Sequence, residues 1–155
     1  MAHVESILIV HQPLEDVFDF LNAAESHLKF IPRMTQLVQT SPGVFGQAGT
    51  TLSGMLNYFG VRIPVGYEII EVKPNHRLAM KGWMGPILFT DGYILAKRGS
   101  RTEIKFWLEL VPTRWTRVLT PFMGLVGKIH AWETLRNLKR EITRHKIASL
   151  LRSSQ

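Results

Sequence analysis

The spacing of apolar residues changes several times along the chain. Residues 3–10 are rich in isoleucine, leucine and valine, which is typical of a strand, and Pro13 then stands where the first turn of a helix can begin. Apolar residues recur at helical intervals up to residue 21, and a second helical segment, residues 23–30, ends before Pro32. The pattern predicts one strand followed by two short helices.

Between residues 35 and 111 the chain contains short β-rich runs separated by clusters of turn residues. The clusters SPGVFGQAG, NYFG, KPNH, GWMGP and KRGSR divide this segment into six predicted strands. A linker then leads to Thr120-Pro121, a capping residue followed by a proline in the first turn of a helix. We expect a long amphipathic C-terminal helix. Its apolar stripe comprises Phe122, Leu125, Val126, Ile129, Trp132, Leu135, Leu138 and Ile142.

Four segments resemble motifs of a known superfamily. They are IVHQPLEDVFDFL at residues 9–21, YEIIEVKPNHRL at 67–78, GSRTEI at 99–104 and LRNLKREI at 135–142. With the order of elements, they resemble the START-like (SRPBCC) superfamily and, within it, the polyketide cyclase/dehydrase and lipid-transport group. The resemblance implies an α+β helix-grip fold, with a seven-stranded antiparallel sheet around the long C-terminal helix and two short helices after the first strand. These motifs are specific for the fold and not for function.

The length and composition are those of one globular unit. Of the 155 residues 45% are hydrophobic, so we expect one START-like domain at residues 1–152, followed by a disordered tail at 153–155. The net charge of +7 suits an anionic membrane surface, an acidic partner or nucleic acid. The chain has no cysteine and no apolar segment near the roughly 20 residues of a membrane span. We expect a cytoplasmic protein whose membrane association, if any, is peripheral.

The turns also predict which residues face the inside of the sheet. In the last strand every second residue from Ile104 to Leu110 is apolar, and this row faces inward. A two-residue turn at Gly99-Ser100 places Asp91 in the inward row of the preceding strand.

Two-residue turns at positions 59–60 and 84–85 extend this pairing to the earlier strands, and the second of them pairs Met80 with Phe89. A cavity between the inner face and the long helix is therefore expected. Its predicted lining comprises Leu52, Leu56, Tyr58, Tyr67, Met80, Phe89, Asp91, Tyr93, Phe106, Leu108, Leu110, Phe122, Val126 and Ile129.

Asp91 is the charged exception in this apolar face, and burial would favour its neutral form unless a partner holds the charge. Three roles stay open for it. The carboxylate is satisfied locally by the backbone, Tyr93 or Thr90, it anchors a ligand hydroxyl or amine, or it acts as a general acid or base. In the last case Tyr67 and Tyr93 are the accompanying catalytic candidates.

Alternate turns of an antiparallel meander lie at the same end of the sheet, and one end is apolar. It holds NYFG, GWMGP and the linker after residue 111. The resemblance to the START-like superfamily implies that this end is the mouth of the cavity. Its apolar turns suit a ligand, a partner protein or an anionic membrane; alternatively, the loops fold over one another and close the core. The predicted rim comprises Phe59, Trp83, Met84, Trp115 and Met123, surrounded by Arg62, Lys81, Arg114 and Arg117.

The histidines show no HExxH or HxH spacing, no GK[ST] follows the glycines of residues 43–49, and no nucleophile triad is apparent. We expect no metal and no cofactor. We favour a carrier or sensor of a small hydrophobic molecule such as a lipid, quinone, isoprenoid or polyketide. An enzyme similar to polyketide cyclases and dehydratases is the alternative. RNA or ribosome association ranks last, because no RNP-type motif is present, and no oligomeric state is predicted.

Overall fold

The computed structural model describes residues 2–111, 113–114 and 117–153. Its elements are β1 (Ala2–Val10), α1 (Leu14–Leu21), α2 (Ala24–Phe30), β2 (Met34–Gln39), β3 (Thr51–Tyr58), β4 (Val61–Lys73), β5 (Arg77–Met84), β6 (Ile87–Arg98), β7 (Arg101–Val111), a 3-10 turn (Arg117–Leu119) and α3 (Thr120–Ser153). The seven strands form one antiparallel sheet in the order β1-β7-β6-β5-β4-β3-β2. The predicted helix-grip architecture is confirmed.

Two predicted turns fix the register of the sheet. Gly99 has a φ of +65° and opens the β6–β7 turn, so that Asp91 pairs with Leu108. At the β3–β4 turn Phe59 and Gly60 both have a positive φ, as a type I′ turn requires. Both registers agree with the prediction.

The β5–β6 turn differs from the prediction. Its central residues are Gly85 and Pro86 instead of Met84 and Gly85, and Gly85 takes a φ of +55°, a conformation that favours glycine. Met80 therefore pairs with Asp91, and not with the residue two positions earlier. Because the pairing is shifted by two residues, the same side chains still face inward.

The two short helices contribute to the core beneath the sheet. Helix α1 packs against β6 and β7, and α2 packs against β2 and α3. The buried residues of α1 are Val17, Phe18, Phe20 and Leu21. Helix α2 buries Phe30 and, unexpectedly, His27, whose side chain has no exposed surface. The apolar pattern did not predict that His27, a polar residue, is buried in this core.

The apolar stripe predicted along α3 does not form one buried face. From Ile129 to Leu138 it advances in three steps of three residues, and each step falls roughly 60° short of a full turn. The stripe therefore rotates about half-way around the helix. Its buried members are Leu135, Leu138 and Ile142, and its exposed members are Phe122, Leu125, Val126, Ile129 and Trp132.

The first half of α3 meets the sheet through small residues instead. Between residues 121 and 132 its buried positions are Met123, Gly127 and Ala131, and the last two are small. A Cβ atom on Gly127 would lie 3.1 Å from Cγ2 of Val4, so glycine permits the close approach of α3 to β1. The helix packs mainly on β1, β7 and α2, which leaves space between it and the strands on the other side of the sheet.

Helix α3 ends at Ser153, the first residue of the predicted tail, and residues 154–155 lie outside the described residues. Among the described residues, no helix has both the length and the apolar character that a membrane span requires.

Candidate ligand-binding cavity

The space between the sheet and α3 forms a cavity that opens to the surface. It contains about 770 Å³ of atom-free space, a volume that includes the solvent-filled space at its open side. Most of the side chains around it are apolar. A cavity of this kind can enclose much of the surface of a small apolar molecule and orient it through a few polar groups.

The structure brings most of the predicted cavity residues together. Those around the cavity are Leu56, Tyr58, Tyr67, Met80, Phe89, Asp91, Tyr93, Phe106, Leu108, Leu110 and Val126. Three others do not line it. Leu52 lies in the core near the start of β3, where it is only 2% exposed. Phe122 and Ile129 are 66% and 48% exposed, because the apolar stripe of α3 turns away from the sheet.

The residues predicted for the rim do not form one continuous surface around the cavity, because they lie in different parts of the structure. Met84 lines the cavity, whereas Phe59 projects from the β3–β4 turn with 95% of its surface exposed. Trp83 lies on the outer face of the sheet, where its ring covers Gly66: a Cβ atom there would be 2.8 Å from the ring. Met123 is buried beneath α3 and does not line the cavity. Trp115 lies outside the described residues.

Asp91 is the acidic group of the cavity wall. Its neighbours on the adjacent strands are Met80 and Leu108, neither of which offers a hydrogen bond to a carboxylate. Its Oδ1 atom is buried and has no hydrogen-bond partner among the described residues. Desolvation raises the pKa of Asp91 to about 7, so the carboxyl exchanges its proton near neutral pH.

Tyr67 and His27 form a buried pair in the same wall. The Tyr67 hydroxyl lies 2.8 Å from Nδ1 of His27, and Nε2 of His27 lies 2.7 Å from the carbonyl oxygen of Leu21. Burial lowers the pKa of His27 to about 4, so the ring is neutral at pH 7. Burial, with a contribution from the charge of Asp91, holds the pKa of Tyr67 well above its usual value.

Tyr93 lies in a chain of aromatic contacts across the cavity. Its ring centroid is 5.2 Å from that of Phe106 and 6.1 Å from that of Phe30. Burial raises the pKa of Tyr93, and the nearby charges of Asp91 and Tyr67 raise it further. Tyr93 therefore remains a protonated phenol at neutral pH. The three catalytic candidates from the sequence, Asp91, Tyr67 and Tyr93, all reach one cavity.

Helix α3 supplies two polar groups that the sequence analysis did not select, His130 and Thr134. The Thr134 hydroxyl donates a hydrogen bond of 2.7 Å to the main-chain carbonyl of His130. Burial, together with the positive charge of Arg33, lowers the pKa of His130 to about 4. Their spacing of one helical turn placed them on one face, but neither is apolar, so the hydrophobic pattern gave no signal for them.

Arg33 connects the β3–β4 turn to α3 beside the cavity. Its guanidinium lies 5.0 Å from the ring centroid of Tyr58 and 5.8 Å from that of Phe59, and Nη2 makes a 3.2 Å ion pair with Glu133. Arg33 has a φ of +63°, which is uncommon for a residue other than glycine. This cluster bridges the sheet and the helix near Tyr58, which lines the cavity.

The polar groups of the cavity allow two kinds of chemistry. They can orient a ligand by hydrogen bonds, and Asp91 can accept or release a proton near neutral pH. Within the described ranges, no group of three or more histidine, aspartate or glutamate side chains could hold a metal ion.

Comparison with solved structures places this architecture in the START-like fold. A protein of Thermus thermophilus is 14% identical, with a TM-score of 0.77, and the match covers 92% of this chain and 98% of that one. The ZhuI aromatase/cyclase of a Streptomyces species is 13% identical, with a TM-score of 0.77 and coverage of 92% and 93%. A START superfamily protein of Mycobacterium smegmatis is 10% identical, with a TM-score of 0.76 and coverage of 93% and 99%. No protein-family model and no curated protein sequence matches the chain.

Proposed function

We propose that this protein binds one small hydrophobic molecule between its sheet and helix α3, as a cytoplasmic carrier or sensor. The observation that carries the proposal is an open, largely apolar cavity in which one buried carboxylate oxygen, Oδ1 of Asp91, has no hydrogen-bond partner within the part of the chain that the structure describes. Burial of the ligand's apolar surface supplies the affinity, and a polar group fixes its orientation. Lipids, quinones, isoprenoids and polyketides all have the required apolar surface. The predicted lining residues that surround the cavity form the proposed binding site.

The test is a fluorescence titration with N-phenyl-1-naphthylamine, an apolar probe that brightens when it leaves water. We expect saturable binding with one site per chain. Val126→Trp should weaken it, because Val126 lines the cavity and is 48% exposed, so a larger side chain can obstruct the opening without crowding the core. Leu125→Trp is the matched control, since Leu125 is 59% exposed and does not line the cavity. Equal affinity in both variants would contradict binding at this site.

We further propose that the ligand is exchanged at an anionic membrane surface. The exposed apolar face of α3, formed by Phe122, Leu125, Ile129 and Trp132, supports this. It continues into the cavity wall at Val126. From residue 120 to residue 132 the helix carries one lysine and no acidic residue, and the whole chain has a charge of +7, so an anionic bilayer complements this surface. Phe59, exposed at the β3–β4 turn, is the rim residue best placed to join it.

An enzyme of the polyketide cyclase or dehydratase type is the second candidate. It is favoured by the pKa of about 7 at Asp91, which suits proton transfer at neutral pH, and by the nearby phenols of Tyr67 and Tyr93. One structural neighbour is an aromatase/cyclase. The test is exchange of the α-protons of 2-tetralone with deuterated solvent, followed by NMR. A rate above that of buffer that disappears in Asp91→Asn supports an enzyme, and equal rates in the two proteins contradict it.

A further inference from the structure

We propose that the ligand carries a hydroxyl group, as a phenol or an alcohol, and that the cavity discriminates against molecules of the same shape whose oxygen cannot donate a hydrogen bond. The inference rests on the proposed function, since it names the ligand class of the same cavity. Several polar groups of the cavity already use their protons in hydrogen bonds within the protein, and this limits what they can donate to a ligand.

The Tyr67 hydroxyl donates its proton in a hydrogen bond to His27. A carbonyl oxygen can only accept, so the 2.7 Å contact with Leu21 requires the proton of His27 to be on Nε2. The ring is neutral, and its Nδ1 therefore carries a lone pair. The Tyr67 hydroxyl, 2.8 Å away, must donate to that nitrogen. Tyr67 then offers only lone pairs to anything else in the cavity.

Two further side chains of the cavity wall, Thr134 and Asp91, also have no proton available for a ligand. The hydroxyl of Thr134 donates to the carbonyl of His130, so its oxygen can only accept a further hydrogen bond. Ionised Asp91 has no proton, and none of the described residues offers a hydrogen bond to its buried Oδ1. A buried acceptor left unsatisfied is costly, and a ligand that donates to it removes that cost.

Three groups can still donate to a ligand, because the hydroxyl of Tyr58, which also lines the cavity, keeps its proton. The hydroxyl of Tyr93 can donate or accept, and the neutral ring of His130 has one donor and one acceptor nitrogen. A ligand hydroxyl both donates and accepts, so it can satisfy Asp91 and receive a hydrogen bond from one of these groups. A carbonyl or an ether oxygen can do only the second, and leaves Asp91 unsatisfied.

The experiment compares 2-naphthol with 2-methoxynaphthalene, which have the same aromatic frame but differ in the donor. Isothermal titration calorimetry at pH 8, where Asp91 is mostly ionised, should show 2-naphthol binding tighter by on the order of tenfold. Asp91→Leu should remove that preference, so that the two compounds bind with similar affinity. If the leucine variant does not fold, Asp91→Asn takes its place. It keeps the shape of the side chain and should reduce the preference for 2-naphthol.

The outcomes separate this inference from the function on which it rests. Equal binding of the two compounds, or tighter binding of 2-methoxynaphthalene, overturns the hydroxyl preference and leaves hydrophobic binding intact. A preference that persists in both Asp91 variants also overturns it, because the donor is then recognised elsewhere. Failure of both compounds to bind the native protein counts against the hydrophobic cavity itself, and the inference falls with it.

Discussion

His27 and Tyr67 share a buried hydrogen bond of 2.8 Å that joins helix α2 to strand β4 in the wall of the cavity. The ring of His27 has no exposed surface, and its two nitrogens have separate partners on α1 and β4. Because the histidine is held neutral with its proton on Nε2, this bond also fixes the direction in which the Tyr67 hydroxyl points. One contact therefore contributes to stability and to the polarity of the candidate site.

Tyr67→Phe should destabilise the protein by about 1–3 kcal/mol, because Nδ1 of His27 becomes a buried acceptor without a donor. The free energy of unfolding from urea denaturation measures this. Tyr93→Phe is the matched control, since it removes a neighbouring buried hydroxyl without breaking a histidine contact, and we expect a smaller loss. If the two variants lose the same free energy of unfolding, the hydrogen bond between Tyr67 and His27 makes no particular contribution to stability.

Asp91→Asn should stabilise the protein at pH 8 and not near pH 4. The carboxyl has a pKa of about 7 in the folded state and about 4 in the unfolded chain. Between these values the folded state keeps the proton and the unfolded state releases it, so stability is lost as the pH rises through this window. About three pKa units correspond to at most about 4 kcal/mol at pH 8.

The measurement is the difference in unfolding free energy between Asp91→Asn and the native protein from pH 4 to pH 8. The titrations of His27 and His130 occur in both proteins and cancel in this difference. Asp19→Asn, at an exposed position on α1, is the control. If the difference in unfolding free energy does not change with pH, the pKa of Asp91 is not raised in the folded protein.

The sheet could be predicted from the sequence because its turns leave little freedom. A glycine in a two-residue turn at positions 99–100 specifies the pairing of β6 with β7, and a shift by one residue would expose Phe106 and Leu108. The β5–β6 turn was less determined, because Gly82, Gly85 and a proline offer several tight turns within a few residues.

The polar half of the candidate site was harder to predict. Asp91 stands out in an apolar row, but His27 belongs to a helix of seven residues, too short to show a periodic pattern. The hydrophobic pattern alone does not predict which face of α3 packs on the sheet. The contact with β1 is instead made where Gly127 and Ala131 are small enough to let the backbones approach, and that property leaves no hydrophobic signal.

Gly127→Val should destabilise the protein by about 1–3 kcal/mol, because even its Cβ atom would lie 3.1 Å from Val4 and the branched side chain would force α3 away from β1. Gly124→Val is the matched control: a Cβ atom there meets no atom of the described residues within 4 Å, so the same substitution should leave stability nearly unchanged. Thermal unfolding followed by circular dichroism distinguishes the two. Similar melting temperatures would show that α3 does not need a small residue at this contact.

Phe122→Glu should weaken binding to vesicles of phosphatidylcholine and phosphatidylglycerol at least about tenfold, because a buried phenylalanine contributes about 1.5–3 kcal/mol and the new charge opposes the anionic lipid. Phe122 is 66% exposed, so the fold does not depend on its burial. Val44→Glu makes the same change from an apolar to an acidic residue at an 80% exposed position between β2 and β3, and controls for the altered net charge. Vesicle co-sedimentation at low and at physiological salt measures both variants. Equal loss in the two would indicate that net charge alone governs binding, and no loss in Phe122→Glu would remove the exposed face of α3 from the membrane contact.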